Sequence, residues 1–262
     1  MTSWIRFDAP DAGGGFGMLV NDRVLEYEGD LFGEARATGV ERHLGDLVLT
    51  SPCLPGKVVA LWNNFHALAA KLDKAPPKHA LFLIKPSTSV IGPGQAVVRP
   101  ASYAGKIAYE GELGIVIGRR CTNVEPEQAG AYIFGYTCIN DVTAVELLGE
   151  DPNFAQWCRA KGFDTFCCIG PAVQTDFDWR SARVVTRLDG VERQNYPLAD
   201  MIFSPAEQVS MLSRDMTLMP GDVIACGTSI GVGTIKDGAT VSVSIDGIGT
   251  VSNVLRSADG ER

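Results

Sequence analysis

The sequence predicts a β-rich α+β fold with a small N-terminal β-unit, on three observations. Short runs of β-branched and aromatic residues recur between Gly and Asn/Asp turns. Helical patterns are few and short. The Pro52 to Pro55 stretch breaks the pattern and separates a small β domain, residues 1–54, from a larger domain, residues 55–262.

In the first unit, Trp4-Ile5-Arg6-Phe7, a Gly13-Gly14-Gly15 turn, Gly17-Met18-Leu19-Val20, an Asn21-Asp22 turn and Val24-Leu25-Glu26-Tyr27 read as a β-meander. After the boundary, Lys57 to Trp62 reads as a buried strand. His66-Ala67-Leu68-Ala69-Ala70-Lys71-Leu72 reads as a helix by its alanine content, stopped by Pro76-Pro77. Further strands are expected over Ala80 to Ile84, Tyr109 to Gly118, Ile133 to Asp141, Ala182 to Leu188, Val223 to Cys226 and Thr240 to Ile245. Helical patterns fit Glu125 to Ala131, Asn153 to Ala160 and Ala206 to Leu212. The last is preceded by a Ser204 cap, with Pro205 at the first helical position and Glu207 three residues after the cap.

At 262 residues the chain can bury a sizeable core. Its formal charge of −8 with scattered Lys and Arg argues against a nucleic-acid surface, which needs a basic stripe. An anionic substrate would need local cations. No charged-then-apolar leader is evident and no apolar run approaches the ~20 residues that span a bilayer, so no membrane partner is expected and the protein reads as soluble and cytoplasmic. The seven cysteines contain no Cys-x-x-Cys pair, and read as reduced, buried, small apolar residues rather than a catalytic thiol.

The chemistry centres on Tyr109-Glu110-Gly111-Glu112-Leu113-Gly114-Ile115-Val116-Ile117-Gly118. Residues two apart on a strand share a face, so Glu110 and Glu112 would point the same way. Two ionised carboxylates that close repel unless a cation sits between them. Asp141, at the end of the strand from Ile133, is a third candidate ligand. All-oxygen ligation selects Mg²⁺ or Mn²⁺, with Ca²⁺ also fitting, over Zn²⁺. The same acids also read as a solvated strand face, with Asp141 capping a helix at Val142-Thr143-Ala144. Lys161, in Arg159-Ala160-Lys161-Gly162-Phe163-Asp164, reads either as a solvated lysine at a helix C-terminus or as a cation for an oxygen that gains negative charge. Gly227-Thr228-Ser229-Ile230-Gly231-Val232-Gly233 lacks the spacing of a nucleotide loop and reads as a turn between strands or as a binding loop.

The segments His79 to Gly94, Tyr109 to Arg120, Tyr132 to Ala144, Arg159 to Pro171 and Met219 to Gly233 resemble, in order and spacing, the fumarylacetoacetate hydrolase (FAH) family. The resemblance covers most of the chain from about Lys57 onward. It implies a mixed β-sandwich roll, a homodimer, and a small anionic 2-oxo acid substrate such as an acylpyruvate or a 2-oxo dioic acid. It also implies a divalent metal on Glu110, Glu112 and Asp141, polarising the 2-oxo group and stabilising an enolate. Lys161 falls on the family's catalytic lysine and would act on the anionic intermediate rather than hold the fold. Thr228 falls on the threonine that contacts the substrate carboxylate, although Ser229 replaces the usual Pro and leaves the loop's rigidity open. Lys85, in Phe82-Leu83-Ile84-Lys85-Pro86, resembles the family's Phe-x-Lys-Pro strand end, with a structural or substrate-facing role.

Hydrolytic members carry an Asn-Tyr pair before a helical His, with a Glu one turn later that orients it towards water. Asn64-Phe65 matches loosely, His66 comes about two residues early, and the Glu position is apolar at or near Ala69. His66 is thus a catalytic candidate with an incomplete dyad. The resemblance points first to hydrolysis of a C–C bond in an acylpyruvate-type acid. The alternative is the decarboxylase/isomerase branch that acts on 2-hydroxyhepta-2,4-diene-1,7-dioate and related diacids of aromatic catabolism. A non-catalytic β-protein holding a structural Ca²⁺ is the reading of a different class.

Overall fold

A computed structural model of the chain describes residues 2–10 and 13–257. Strand makes up 46% and helix 18%, so the β-rich α+β expectation holds. Strands β1 (Ser3–Ala9), β2 (Gly13–Val20), β3 (Arg23–Gly29) and β4 (Ala35–His43) form an antiparallel meander. The Asn21-Asp22 turn is there, with Asn21 at φ +57°, a left-handed conformation that Asn tolerates. The expected Gly13-Gly14-Gly15 turn is instead strand, paired with Ala9, Asp8 and Phe7. The Phe7 ring lies over Gly15, where a Cβ would come within 3.0 Å of it, so the glycine makes room for a core aromatic. Ile5, Phe7, Ala9 and Val24 form the meander's own core with Ala172.

Strand β5 (Val48–Thr50) pairs with β1. Then come β6 (Lys57–Trp62), α1 (His66–Lys71), β7 (Leu81–Pro86), β8 (Val90–Ile91) and β9 (Val97–Val98). The carboxylate region follows as β10 (Ile107–Tyr109), β11 (Gly111–Ile117), α2 (Pro126–Ala129), β12 (Ile133–Asp141), β13 (Thr143–Ala144), α3 (Trp157–Lys161) and β14 (Cys167–Gln174). The chain ends with β15 (Arg183–Leu188), β16 (Val191–Pro197), α4 (Pro205–Asp215), β17 (Val223–Ala225), β18 (Gly233–Ile235), β19 (Thr240–Ile245) and β20 (Gly249–Arg256).

Among the described residues, three sheets result. The largest runs β4-β3-β2-β1-β14-β12-β11-β17-β6-β7, with β5 and β8 on its flanks. A five-stranded sheet runs β16-β15-β19-β20-β9, and β13-β10-β18 forms a third. The meander is therefore hydrogen-bonded into the main sheet, through Ser3 and Trp4 on β1 opposite Gln174 and Val173 on β14. A single apolar cluster, including Leu113, Ile115, Cys138, Val243 and Val251, fills the space between the large and five-stranded sheets. The parallel pairs β6·β17, β8·β14 and β9·β20 make the roll mixed.

Two elements depart from the expected pattern next to the site. Val142-Thr143-Ala144 does not form a helix capped by Asp141; Thr143 and Ala144 pair with Ala108 and Ile107 of β10. Helix α3 begins only at Trp157, because Asp151 captures the Asn153 N–H in a local turn and Gln156 is non-helical. Helix α4 carries the full Ser204–Glu207 capping box. Among the described residues no helix is long and apolar enough to cross a membrane.

Candidate metal and active site

Strands β11 and β12 are antiparallel neighbours in the centre of the main sheet, and their ends bring the three acids together. Gly111 lies opposite Asn140 and Glu112 opposite Ile139. Glu110 is not on the same strand as Glu112, as the spacing had suggested, but in the break between β10 and β11. The break has a physical cause. Glu110 N–H donates to the Asn140 side chain at 3.1 Å, and Gly111 N–H to the Gln194 side chain at 3.0 Å, in place of regular ladder bonds. The Glu110 carbonyl still accepts from Asp141 N–H at 2.8 Å. One oxygen from each of Glu110, Glu112 and Asp141 then lies within 4.8 Å of the others.

Two lysines stand against this cluster. Lys161 Nζ, from the end of α3, lies 2.6 Å from Asp141 Oδ2, 2.7 Å from Thr143 Oγ1 and 2.9 Å from Glu110 Oε1. Thr143 passes the contact on by donating to Glu110 Oε1 at 2.7 Å. Lys85, fully buried on β7, donates to Asp141 Oδ1 and Val142 O. Lys161 is thus neither solvated nor separate from the fold; it is part of a buried charge cluster. Lys85 packs on a carboxylate rather than at an open surface.

The electrostatics follow from burial. Desolvation, then the charges of Asp141 and Glu110, hold the Glu112 carboxyl well above the usual carboxylate range. Burial pushes Asp141 the same way, but Lys161 and Lys85 outweigh it and leave Asp141 below its ordinary value. Burial disfavours the Lys161 ammonium, yet Asp141, Glu110 and Glu112 overcome this and push its pKa up. Burial pushes the Cys53, Cys138 and Cys167 thiols up to about 12, which removes thiolate chemistry from them at neutral pH.

The acids pass a physical test for a hard divalent cation. Glu112 Oε2 accepts from Gly227 N–H at 2.9 Å, whereas Oε1 is buried with no partner among the described residues. An orphaned carboxylate oxygen among three converging acids is a ligand position by its chemistry. With Glu112 ionised, three carboxylates against two ammonium groups would carry one negative charge; a divalent cation would reverse the sign and favour an anionic substrate.

The Gly227–Gly233 segment links β17 to β18 as the expected turn, with Gly231 at φ +99° and pressed against the Arg193 carbonyl, where no Cβ fits. Thr228 is buried and donates to Gly111 O at 2.9 Å. The loop is also tied down through Gln194 Nε2, which reaches Thr228 Oγ1 (2.9 Å), Ser229 O (3.3 Å) and Ile230 O (3.4 Å). Gly111 itself is enclosed, since a Cβ there would overlap Thr186 Oγ1. The structure therefore brings Glu110, Glu112, Asp141, Lys161, Lys85 and Thr228 into one bonded assembly.

His66 lies outside that assembly. It is exposed at the start of α1, and among the described residues no acid is paired with it. Its neighbour Asn64 is structural, accepting from Phe203 N–H (2.9 Å) and donating to Cys226 O (2.8 Å). The sequence reading missed Asn140, Thr143, Gln194 and Tyr196. Only Asn140 and Thr143 carried a signal, as polar residues flanking Asp141 within an apolar run.

Residues 57–256 match the fumarylacetoacetate (FAA) hydrolase C-terminal family, and residues 3–52 match an Rv2993c-like N-terminal family. Protein Rv2993c of Mycobacterium tuberculosis is 42% identical over 225 residues, covering 85% of this chain and 83% of that protein. Oxaloacetate tautomerase YisK of Bacillus subtilis is 34% identical over 76% of this chain and 69% of its own. Among solved structures, 2-hydroxyhepta-2,4-diene-1,7-dioate isomerase from Mycobacterium marinum superposes with a TM-score of 0.90 at 36% identity, over 98% of this chain and 99% of that one. Maleylpyruvate hydrolase from Sphingobium sp. SYK-6, solved with manganese(II) and pyruvate, gives 0.79 at 25% identity, over 98% and 99%. The family match spans the whole segment from β6 to β20 that carries the acids, the two lysines and the Thr228 loop, and the chain is an enzyme of the fumarylacetoacetate hydrolase family.

Proposed function

We propose that the protein is a Mg²⁺- or Mn²⁺-dependent enzyme of small 2-oxo acids, with enolisation next to the 2-oxo group as its central step. Keto–enol tautomerisation or double-bond isomerisation is the net reaction that this reading puts first. The observation that carries it is the convergence of Glu110, Glu112 and Asp141 within 4.8 Å, beside a buried ammonium group that contacts two of them. Bound by these acids, a divalent cation supplies Lewis-acid polarisation of a carbonyl and neutralises developing charge.

The chain's own residues do the rest. Lys161, fixed by Asp141 and Thr143, offers a preorganised cation to an oxygen that gains negative charge, with no reorganisation at the moment of reaction. Thr228 and the N–H groups of its loop orient the substrate carboxylate. Water activation needs an oriented base, and His66 has no acid partner among the described residues, which favours tautomerisation or isomerisation over hydrolysis. The tautomerase and isomerase among the relatives support this order. Hydrolysis of an acylpyruvate C–C bond is the second reading, favoured by the likeness to maleylpyruvate hydrolase and its bound manganese and pyruvate.

The test is a panel of oxaloacetate and acylpyruvates with Mg²⁺ or Mn²⁺, following enol absorbance and pyruvate release separately. Metal-dependent decay of the oxaloacetate enol, faster than any acylpyruvate cleavage, is expected. Faster cleavage would reverse the order of the two reactions, and activity that survives complete chelation would sink the metal reading.

A further inference from the structure

We propose that Gln194 is a positioning residue that holds the Thr228 hydroxyl ready for a substrate carboxylate, through a closed ring of hydrogen bonds around Gly111. This rests on the metal and 2-oxo acid reading above. Gly111 N–H donates to Gln194 Oε1 (3.0 Å), Gln194 Nε2 donates to Thr228 Oγ1 (2.9 Å), and Thr228 Oγ1 donates to Gly111 O (2.9 Å). Tyr196, two residues along β16 and so on the same face, donates to the same carbonyl at 2.6 Å. Gln194 is 1% exposed, so no water competes for its amide.

The ring fixes the direction of each bond. A backbone N–H only donates, so the Gln194 oxygen must face Gly111 and its NH₂ must face Thr228. The Thr228 oxygen is then an acceptor on that side, and its one proton goes to Gly111 O. That carbonyl has a second donor in Tyr196, whose phenol burial and the Glu112 charge keep protonated. Thr228 can therefore turn its proton to an incoming carboxylate without leaving Gly111 O unpaired, while Gln194 keeps the oxygen in place.

The ring also couples the two halves of the site. Gly111 separates Glu110 from Glu112, and its backbone angles set the approach of the two acids. Gly227, next to Thr228, holds Glu112 Oε2 at 2.9 Å. The amide's remaining reach to Ser229 O and Ile230 O restrains the loop where a prolyl ring is lacking. Gln194 thus stands behind both the acids and the substrate-facing loop, bonded to Gly111, Thr228, Ser229 and Ile230 rather than to the acids themselves.

The test compares wild type with Gln194→Met, which keeps the volume and loses the amide. Gln194→Asn, one methylene too short to span Gly111 and Thr228 together, is made alongside in case the first does not fold. MnCl₂ is titrated calorimetrically, then oxalate is titrated into the Mn²⁺-loaded protein, and KM and kcat are measured for oxaloacetate. Oxalate affinity should fall and KM rise by about tenfold, the worth of roughly one hydrogen bond, with Mn²⁺ affinity changed by a smaller factor and kcat least of all. Variants that bind Mn²⁺ and oxalate like wild type overturn the proposal, whatever happens to their melting temperature. Wild-type protein that binds no Mn²⁺ overturns the metal reading itself, and the proposal with it.

Discussion

Replacing Glu112 with Gln should stabilise the metal-free protein while removing its response to metal. Glu112 is fully buried and shares a 4.8 Å neighbourhood with two other carboxylates. Once Glu112 is ionised, each like-charge pair at that separation repels by about 3.5 kcal/mol at an effective dielectric of about 20. The substitution relieves two such pairs and forfeits the attraction of Lys161, so the balance is of the order of one pair. Since about 1 kcal/mol shifts the melting temperature of a chain of this size by roughly 2 to 4 °C, a rise of several degrees is expected in chelator at a pH high enough to ionise Glu112. The Gln oxygen can still accept from Gly227 N–H, so the loop stays in place. Wild type with Mn²⁺ at a hundred times its dissociation constant should gain about 2.7 kcal/mol, a gain the variant lacks. Differential scanning calorimetry with and without Mn²⁺ gives all four values. A variant that melts lower than wild type in chelator and still gains from Mn²⁺ would refute the reasoning at both steps.

The other predictions concern the charge cluster, the base and the helix cap. Glu112 has a raised pKa in the folded state, so its contribution to stability is full below the unfolded carboxylate range and is lost as pH rises through the folded value. The metal-free wild type should therefore lose melting temperature relative to Glu112→Gln as pH rises above the unfolded carboxylate value of about 4.3, and Mn²⁺ should bind more tightly over the same rise as its ligand deprotonates. Lys161→Met should lower kcat for oxaloacetate at saturating Mn²⁺ and, contrary to a purely chemical role, also lower the melting temperature in chelator, because buried carboxylates lose their counter-charge. His66→Ala should leave oxaloacetate tautomerisation within about tenfold of wild type; a loss of about 10² to 10⁴ in acylpyruvate cleavage would show that His66 acts as a general base after all. Ser204→Ala should cost about 1 kcal/mol, read as a drop of roughly 2 to 4 °C, since it removes half of the capping box on α4.

The parts of this molecule that could be read from the sequence are those fixed by local chemistry. The strands Ile133–Asp141 and Thr240–Ile245 form where their β-branched and aromatic residues place them, and the Ser204 cap starts α4 because its bonds span only three residues. Contacts between distant segments were not legible. Gln194 sits in Val191–Pro197, a polar stretch with no apolar alternation, yet it is buried because Gly111, 83 residues earlier, and Thr228, 34 residues later, supply its partners. Lys85 read as a strand end, and only the fold shows its ammonium on Asp141, 56 residues away. The break at Glu110 has the same origin: side chains of Asn140 and Gln194 take the two N–H groups that a continuous strand would give to its neighbour. A pattern reader assigns backbone N–H groups to a ladder by default. The site arises where buried side-chain amide oxygens compete successfully for them, because a buried carbonyl oxygen left unpaired is more costly than a ladder bond moved to another acceptor.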